Sequence, residues 1–301
     1  MSVDRRTFAG PVLVTGASGF IGRHLCNHLA AAGEDVHAVV RAASSRVVAH
    51  RPGVVIHTLQ DPSAEYPAIA DAVQPAVVFH LATHFTPRHE PTEIAPMVDV
   101  NVTFGTTVAD AAAQGGARLV HATSAWQHYA GSEYSPVSLY AATKQALCDI
   151  IQYFTESEGL IANEVCLFDT YGPRDDRKKL MWLLLEHAAN GAPLPMSSGR
   201  QLVDLTHVAD VVSALVHAAT VPPLGARLVA RSGRPLTVRA LAALVEQVTG
   251  RTINARWDVL PARPREMEKD WVVTGAATSW RPQIDLTTGV AELWGEGMSP
   301  A

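Results

Sequence analysis

Short, continuously apolar runs rich in β-branched residues alternate with longer amphipathic stretches through the first two-thirds of the chain: PVLVT, VHAVV, VVIHTL, AVVFHLA, RLVHATS and EVCLFD. A strand that is apolar at every position has both faces buried, which is the pattern of a parallel sheet covered by helices on two sides. The helical stretches between these runs end at glycines, namely Gly33, the pair Gly115 and Gly116, and Gly159. A left-handed cap costs glycine no Cβ clash, so these are expected helix ends. The pattern predicts an α/β fold on a doubly wound parallel sheet.

Past Tyr171 the pattern changes to a YGPRDDRKK loop, a helical stretch MWLLLEHAANG, and a tail rich in proline and arginine around Pro261 to Arg265. We expect residues 1–172 to form the main domain and residues 173–301 a smaller α/β substrate lobe over the carboxyl edge of the sheet. Val203 to Ala219 reads as a helix with Asp204 and Asp210 near its start, so a segment of about 203–232 is expected to return to the main sheet.

With 48% hydrophobic residues in 301, the chain can bury a continuous core. Its formal net charge of −5 argues against nucleic acid as a partner, because a phosphate-tracking surface carries a basic excess. No apolar run approaches the roughly 20 residues of a membrane span, and MSVDRRTFAG lacks a signal-peptide stretch. Three separated cysteines, Cys26, Cys148 and Cys166, give neither a disulfide framework nor a CxxC pair. A cytoplasmic location and no membrane partner are therefore expected. His24 and His28 have helical spacing but no third ligand nearby, so no metal is expected.

TGASGFIG, Thr15 to Gly22, places three glycines at three-residue spacing where a buried strand turns into an amphipathic helix. The amides of Gly16, Ser18, Gly19, Phe20, Ile21 and Gly22 would then face a pyrophosphate at a helix N-terminus, with glycine keeping side chains out of the way. The second strand ends in Arg41, where NAD-preferring sites place an acid against the ribose 2′-hydroxyl. Arg41, with Ser44, Ser45 and Arg46 behind it, can meet a 2′-phosphate, which favours NADP(H) over NAD(H); the alternative is that Arg41 points to solvent. Asp61 is read either as an acceptor for the adenine amino group or as a helix cap. Leu81, Ala82 and Thr83 lie where the dinucleotide should pass.

Ser124 ends the fifth run, and Tyr140 and Lys144 stand four apart as YAATK at the start of the next helix, sharing one face. Carbonyl reduction by hydride transfer needs a proton donor at the oxygen, and Tyr140 can fill that role. A neighbouring ammonium is expected to lower the phenol's pKa, while Ser124 holds the oxygen. His84, His128 and Trp126 are expected to line the cleft or to be packed.

TGASGFIG, FHLAT, NVTFGTT, Ser124 with YAATK, FDTYGP and VDLTHVAD together resemble the extended short-chain dehydrogenase/reductases that act on nucleotide-activated sugars, over nearly the whole chain. That resemblance implies a Rossmann domain, a nucleotide-sugar substrate and a homodimer built on the helices near Thr92 to Gln114 and Leu139 to Ser157. ATSAWQHY, SLYAATKQA, LFDTYGPRDDRKKL and RPRE are most similar to CDP-abequose-synthase-like 4-ketoreductases. The function this implies is NADPH-dependent reduction of a nucleoside-diphosphate 4-keto-6-deoxyhexose. A nucleotide-sugar 4-epimerase and a non-catalytic NADP(H) sensor are the alternatives.

Dehydratases of the family carry an Asp-Glu pair where Ala125 and Trp126 stand, so dehydration is not expected. Asp169 replaces a common asparagine and Val203 a common arginine, which leaves Arg177, Lys179, Arg200, Arg263 and Arg265 as candidates for the diphosphate or as solvated surface.

Overall fold

The computed structural model describes residues 6–42, 52–222, 227–273 and 279–295. The first half lays down β1 (Val12–Thr15), α1 (Phe20–Ala31), β2 (Val36–Arg41), β3 (Val54–Leu59), α2 (Pro62–Val73) and β4 (Val77–His80). There follow α3 (Ile94–Val98), a π turn (Asp99–Thr103), α4 (Phe104–Gly115), β5 (Arg118–Ser124), α5 (Leu139–Ser157), β6 (Ala162–Leu167) and β7 (Asp169–Tyr171). The remainder holds α6 (Leu180–Asn190), β8 (Leu194–Pro195), β9 (Leu202–Val203), β10 (Leu205–His207), α7 (Val208–Thr220) and β11 (Leu228–Ala230). Last come β12 (Leu236–Thr237), α8 (Val238–Thr249), β13 (Ala255–Arg256) and α9 (Leu286–Gly295).

Seven strands form one parallel sheet in the order β11-β6-β5-β4-β1-β2-β3, the doubly wound arrangement read from the apolar runs. Its pleat divides each strand between two cores. Val12, Val14, Phe79 and Val120 pack with Leu25, Leu29, Val211 and Leu215 of α1 and α7. Leu13, Val78 and Leu119 pack on the opposite face with Tyr66, Val108, Leu147 and Ile151 of α2, α4 and α5. Each fully buried aliphatic or aromatic side chain contributes roughly 1.5–3 kcal/mol, so the two faces together fix the register. The order reverses between β1 and β4, and in such sheets the crevice beyond the carboxyl ends at that point takes the ligand.

A third core gathers Leu184, Leu185, Leu241, Val245 and Val290 from α6, α8 and α9, apart from the main sheet. Two features differ from the sequence expectation. The seventh strand, β11, is only three residues long, too short to show as a periodic run. Val203 to Ala219 is not one helix: β10 intervenes and α7 starts at Val208. Asp204 therefore caps no helix. Its buried carboxylate accepts from Ser232 N–H and Oγ at 2.7 Å each, from Gly233 N–H at 3.1 Å and from Arg231 Nε at 2.7 Å. Asp210, in the first turn of α7, accepts from the amides of Gln283 and Ile284 at 2.9 Å each, tying the chain before α9 to the main sheet's helix layer. No described helix is long and apolar enough to cross a membrane.

Candidate active site

The glycine turn is built by close backbone approach. Gly16 has φ +68°, and a Cβ there would stand 2.5 Å from Ala82 N and 2.6 Å from Leu81 C, so the turn rests directly on the end of β4. A Cβ on Gly22 would lie 2.2 Å from Gly16 O, so the first turn of α1 closes onto the loop. Gly19 donates to Gly16 O at 2.9 Å and serves as the N-cap of α1, with no capping side chain and no acid in the first turn. Uncapped amides at the positive end of a 12-residue helix fit a pyrophosphate, so these residues suit a bound dinucleotide. Ser18 is half-buried in the turn. The side chain of Phe20 is buried and that of Ile21 packs on the core, which leaves their amides for a ligand.

Arg41 is exposed as the last residue of β2. Ser44, Ser45 and Arg46 lie outside the described residues. Asp61 takes the cap role: its carboxylate accepts from Ala64 N–H at 3.2 Å, and Glu65 returns to the amides of Gln60 and Asp61 at 3.0 and 2.7 Å.

Ser124 stands at the carboxyl end of β5. Its Oγ accepts from Trp126 N–H at 3.3 Å, while its own amide donates to Gln127 Oε1 at 3.0 Å. Gln127 is buried and donates on to Gln145 of α5 at 3.0 Å, which locks the strand end to the helix bearing Tyr140 and Lys144. Ser138 caps that helix by accepting from Ala141 N–H at 3.4 Å.

Tyr140 and Lys144 are both buried, at 9% and 3% exposure. Here the folded environment differs from the sequence expectation that Lys144 lowers the phenol's pKa. Burial dominates and pushes Tyr140 up to about 12, with a hydrogen bond to the Thr83 side chain acting the other way. Burial brings the Lys144 ammonium down to about 8. In the protein alone, Tyr140 is thus a protonated phenol at neutral pH, as a proton donor must be.

Sequence reasoning passed over Asn101, which is fully buried in the π turn. Its Oδ1 accepts from Thr83 Oγ1 at 3.0 Å and His84 N–H at 2.7 Å, and its Nδ2 donates to His84 O and Thr143 Oγ1 at 3.0 Å each. One side chain therefore joins the loop after β4 to the helix bearing Tyr140 and Lys144. A polar residue amid the apolar stretch before Phe104 was the available signal.

His80 was also passed over: it is buried at the end of β4, with Nδ1 2.9 Å from Thr15 Oγ1. Phe85 is the third. Its ring stands edge-to-face 4.9 Å from Tyr140 and tilted 5.6 Å from the half-buried Trp126.

The remaining candidates divide. Lys179 places its ammonium 5.1 Å from the centroid of Phe85, whose ring meets Tyr140, and burial lowers its pKa. Asp169 on β7 is raised chiefly by burial, with Lys179, Arg177 and Arg263 acting in the opposite direction, so these charges share one neighbourhood. Arg177 is already engaged, forking onto Asp175 at 2.6 Å through both Nε and Nη2, donating to Thr170 O at 2.8 Å and stacking 4.1 Å from the Phe20 ring.

Arg200 is exposed in a turn, where its amide donates to Ser198 Oγ at 3.3 Å. Arg263 is exposed. Arg265 meets Ser135 Oγ and lies 4.5 Å over Tyr129, so the 261–273 segment crosses the loop after β5. His84 Nε2 is 4.0 Å from Glu93. His128 is packed at 1% exposure, 2.8 Å from Arg227 Nη1, and does not line the cleft through its ring surface.

Residues 12–227 match the family described as the NAD dependent epimerase/dehydratase family. The UDP-glucose 4-epimerase of Mycolicibacterium smegmatis is 24% identical across 93% of this chain and 96% of its own length. The 3-diazoavenalumate denitrifying reductase of a Streptomyces species is 32% identical across 69% of this chain and 71% of its own length. Among solved structures, the UDP-glucose 4-epimerase of Thermus thermophilus in complex with NAD superposes with a TM-score of 0.84 at 23% identity, covering 96% of this chain and 100% of that one. The glycine turn, the strand-end Ser124 and the paired Tyr140 and Lys144 fall inside the matched segment, and the chain belongs to the NAD dependent epimerase/dehydratase family.

Proposed function

We propose that this protein exchanges a hydride and a proton at one carbinol carbon of a nucleoside-diphosphate sugar, with 4-epimerisation as the net reaction. The carrying observation is the make-up of the reacting centre. It holds one buried phenol, one buried ammonium and one strand-end hydroxyl, with Ala125 and Trp126 where elimination would need a further acid and base. Such a set moves one proton on one oxygen. Oxidising C4 and reducing it from the other face asks for nothing more.

NAD(H), held by the amides of Gly16 to Gly22, would accept and return the hydride. Tyr140 relays the proton of the C4 oxygen and Ser124 holds that oxygen, with Lys144 as the buried cation one helical turn further along the same face. Lys179 and Arg263 are the cations best placed for the diphosphate, with Arg177 bracing the loop behind them and Arg200 further out. Residues 173–301 supply most of the sugar-nucleotide surface, and residues 1–172 with the 203–232 return bind the dinucleotide. Exposed Ile94, Val98 and Tyr153 mark the helical faces through which we infer a homodimer. The epimerase relative aligned across 93% of the chain supports this reading, since the alignment includes the C-terminal lobe. Purified protein given UDP-glucose without added dinucleotide should form the C4 epimer; no conversion of UDP-glucose or UDP-glucuronate would count against it.

A second reading, net NADP(H)-dependent reduction of a 4-keto-6-deoxyhexose nucleotide, is favoured by the exposed Arg41 at the end of β2 and by the 32% identical relative that is named a reductase. It requires added NADPH, consumed one for one with keto-sugar.

A further inference from the structure

Residues 261–273 form no helix or strand, yet they run from the C-terminal lobe across the loop after β5. On the lobe side the amides of Val259 and Leu260 donate to Met196 O at 3.0 Å each, and Leu202 N–H donates to Met267 O at 2.7 Å. At the far end Trp271 stands edge-to-face with Tyr129 at 5.8 Å, and Val273 shares a small buried core with Ala125, the residue after Ser124. Between these ends the segment carries Arg263, whose charge acts on Asp169 together with those of Lys179 and Arg177. A stretch with no backbone ladder of its own needs partners from other elements to hold its course.

Arg231, the first residue after β11, supplies such a hold. Its Nη1 donates to Trp271 O at 2.9 Å, its Nη2 to Asp270 at 2.8 Å and its Nε to Asp204 at 2.7 Å. Its guanidinium lies 4.7 Å from the centroid of Phe168. Asp204 is fully buried and fixed in turn by Ser232 and Gly233, so the fork is aimed before it reaches the 261–273 segment. A planar guanidinium can grip a carboxylate on one edge and a carbonyl and a second carboxylate on the others, which a point-like ammonium cannot.

We propose that Arg231 is a positioning residue: by clipping Asp270 and Trp271 it fixes the 261–273 segment across the cleft and so sets where Arg263 meets the diphosphate. The inference rests on the reading that the substrate is a nucleoside-diphosphate sugar with Arg263 at its diphosphate. All three guanidinium nitrogens of Arg231 are already engaged, so it acts through the segment and not by direct contact.

The test uses Arg231→Gln, Arg231→Lys and Asp270→Ala, each also combined with Arg263→Ala. Asp270 is 43% exposed, so its removal releases the segment without uncovering Asp204 and decides the matter if Arg231→Gln does not fold. Trypsin cleavage after Arg265 and Lys269 reports release of the segment with no ligand present, and should be faster in Arg231→Gln and Asp270→Ala. Calorimetry on dinucleotide-loaded protein then measures UDP-glucose and UDP-glucuronate. Arg231→Gln should weaken the sugar nucleotide, and raise its KM, by about tenfold, the scale of one lost charge-assisted contact, with Asp270→Ala smaller in the same sense. The kcat should stay within about twofold and dinucleotide affinity should not move, because the reacting groups and the glycine turn are untouched. Arg231→Lys, which keeps a cation for Asp204 but not the fork, should recover only part. In the Arg263→Ala background the penalty should vanish, since both changes remove one contact. Unchanged cleavage, faster cleavage with unchanged sugar-nucleotide affinity, or a penalty as large without Arg263 as with it overturns the positioning role and leaves the proposed function standing. A wild type that binds dinucleotide but neither sugar nucleotide overturns the underlying reading and this inference with it.

Discussion

The side chain of Thr83, which draws the Tyr140 phenol's pKa down against burial, donates its hydroxyl to the fully buried Asn101 at 3.0 Å. Asn101 thus ties the loop after β4 to Thr143 on the helix that bears Tyr140. Asn101→Ala would remove four hydrogen bonds at once, to Thr83, His84 and Thr143. The expected cost is roughly 2–4 kcal/mol of stability by denaturant unfolding. Turnover should fall with it under conditions where the variant is still folded, and an unfolding midpoint equal to wild type would refute the linkage.

Lys144 opposes stability wherever its buried ammonium is charged. Its folded pKa, about 8, lies below the ordinary value of 10.5, so the unfolded chain binds more protons between those two pH values and stability should rise with pH across that window. Below about pH 8 the full burial cost is present. Lys144→Met should therefore raise stability near pH 7 by on the order of 2–3 kcal/mol while abolishing turnover. Its unfolding free energy should lack that pH-dependent rise, and a destabilised Lys144→Met protein at pH 7 would show the burial argument to be wrong.

Gly22 has no room for a side chain, since its Cβ would lie 2.2 Å from Gly16 O. Gly22→Ala must push α1 away from the turn and misaim its amides. Dinucleotide affinity should fall by about tenfold or more, with about 1–3 kcal/mol lost from stability. Unchanged affinity by calorimetry would remove this turn from the binding site.

Arg41 tests the cofactor. Arg41→Asp should weaken NADP(H) by about tenfold or more and leave NAD(H) binding intact or improved, because a carboxylate repels a 2′-phosphate and accepts from a 2′-hydroxyl. If neither affinity changes, Arg41 faces solvent and the second reading loses its principal support.

Much of this was legible in the sequence for a physical reason: the central strands β1, β4 and β5 are buried on both faces, and the glycine turn and the Tyr140–Lys144 pair depend on short spacings. Thr15 to Gly22 and Tyr140 to Lys144 each lie within a single turn and helix, so chain order fixes their geometry. What escaped depends on contacts between distant segments. Asn101 matters because it reaches Thr83 and Thr143, and Phe85 because it meets Trp126 and Tyr140. The raised phenol of Tyr140 reflects burial by its surroundings, which no local pattern encodes, and His128 meets Arg227, 99 residues away. The sequence leaves Arg177 free to meet a diphosphate, but Asp175, two residues before it, already occupies its guanidinium.

The most direct test follows deuterium at C4. UDP-glucose, UDP-glucuronate and UDP-6-deoxyglucose labelled there would be incubated with the purified protein without added dinucleotide, and the products read by NMR. A hydride that leaves and returns to one carbon, with Tyr140 relaying the proton, predicts C4-inverted product with the label retained at C4, and none from Tyr140→Phe. Unchanged starting sugar in all three cases, together with stoichiometric NADPH oxidation by a 4-keto sugar, would contradict epimerisation and establish net reduction in its place.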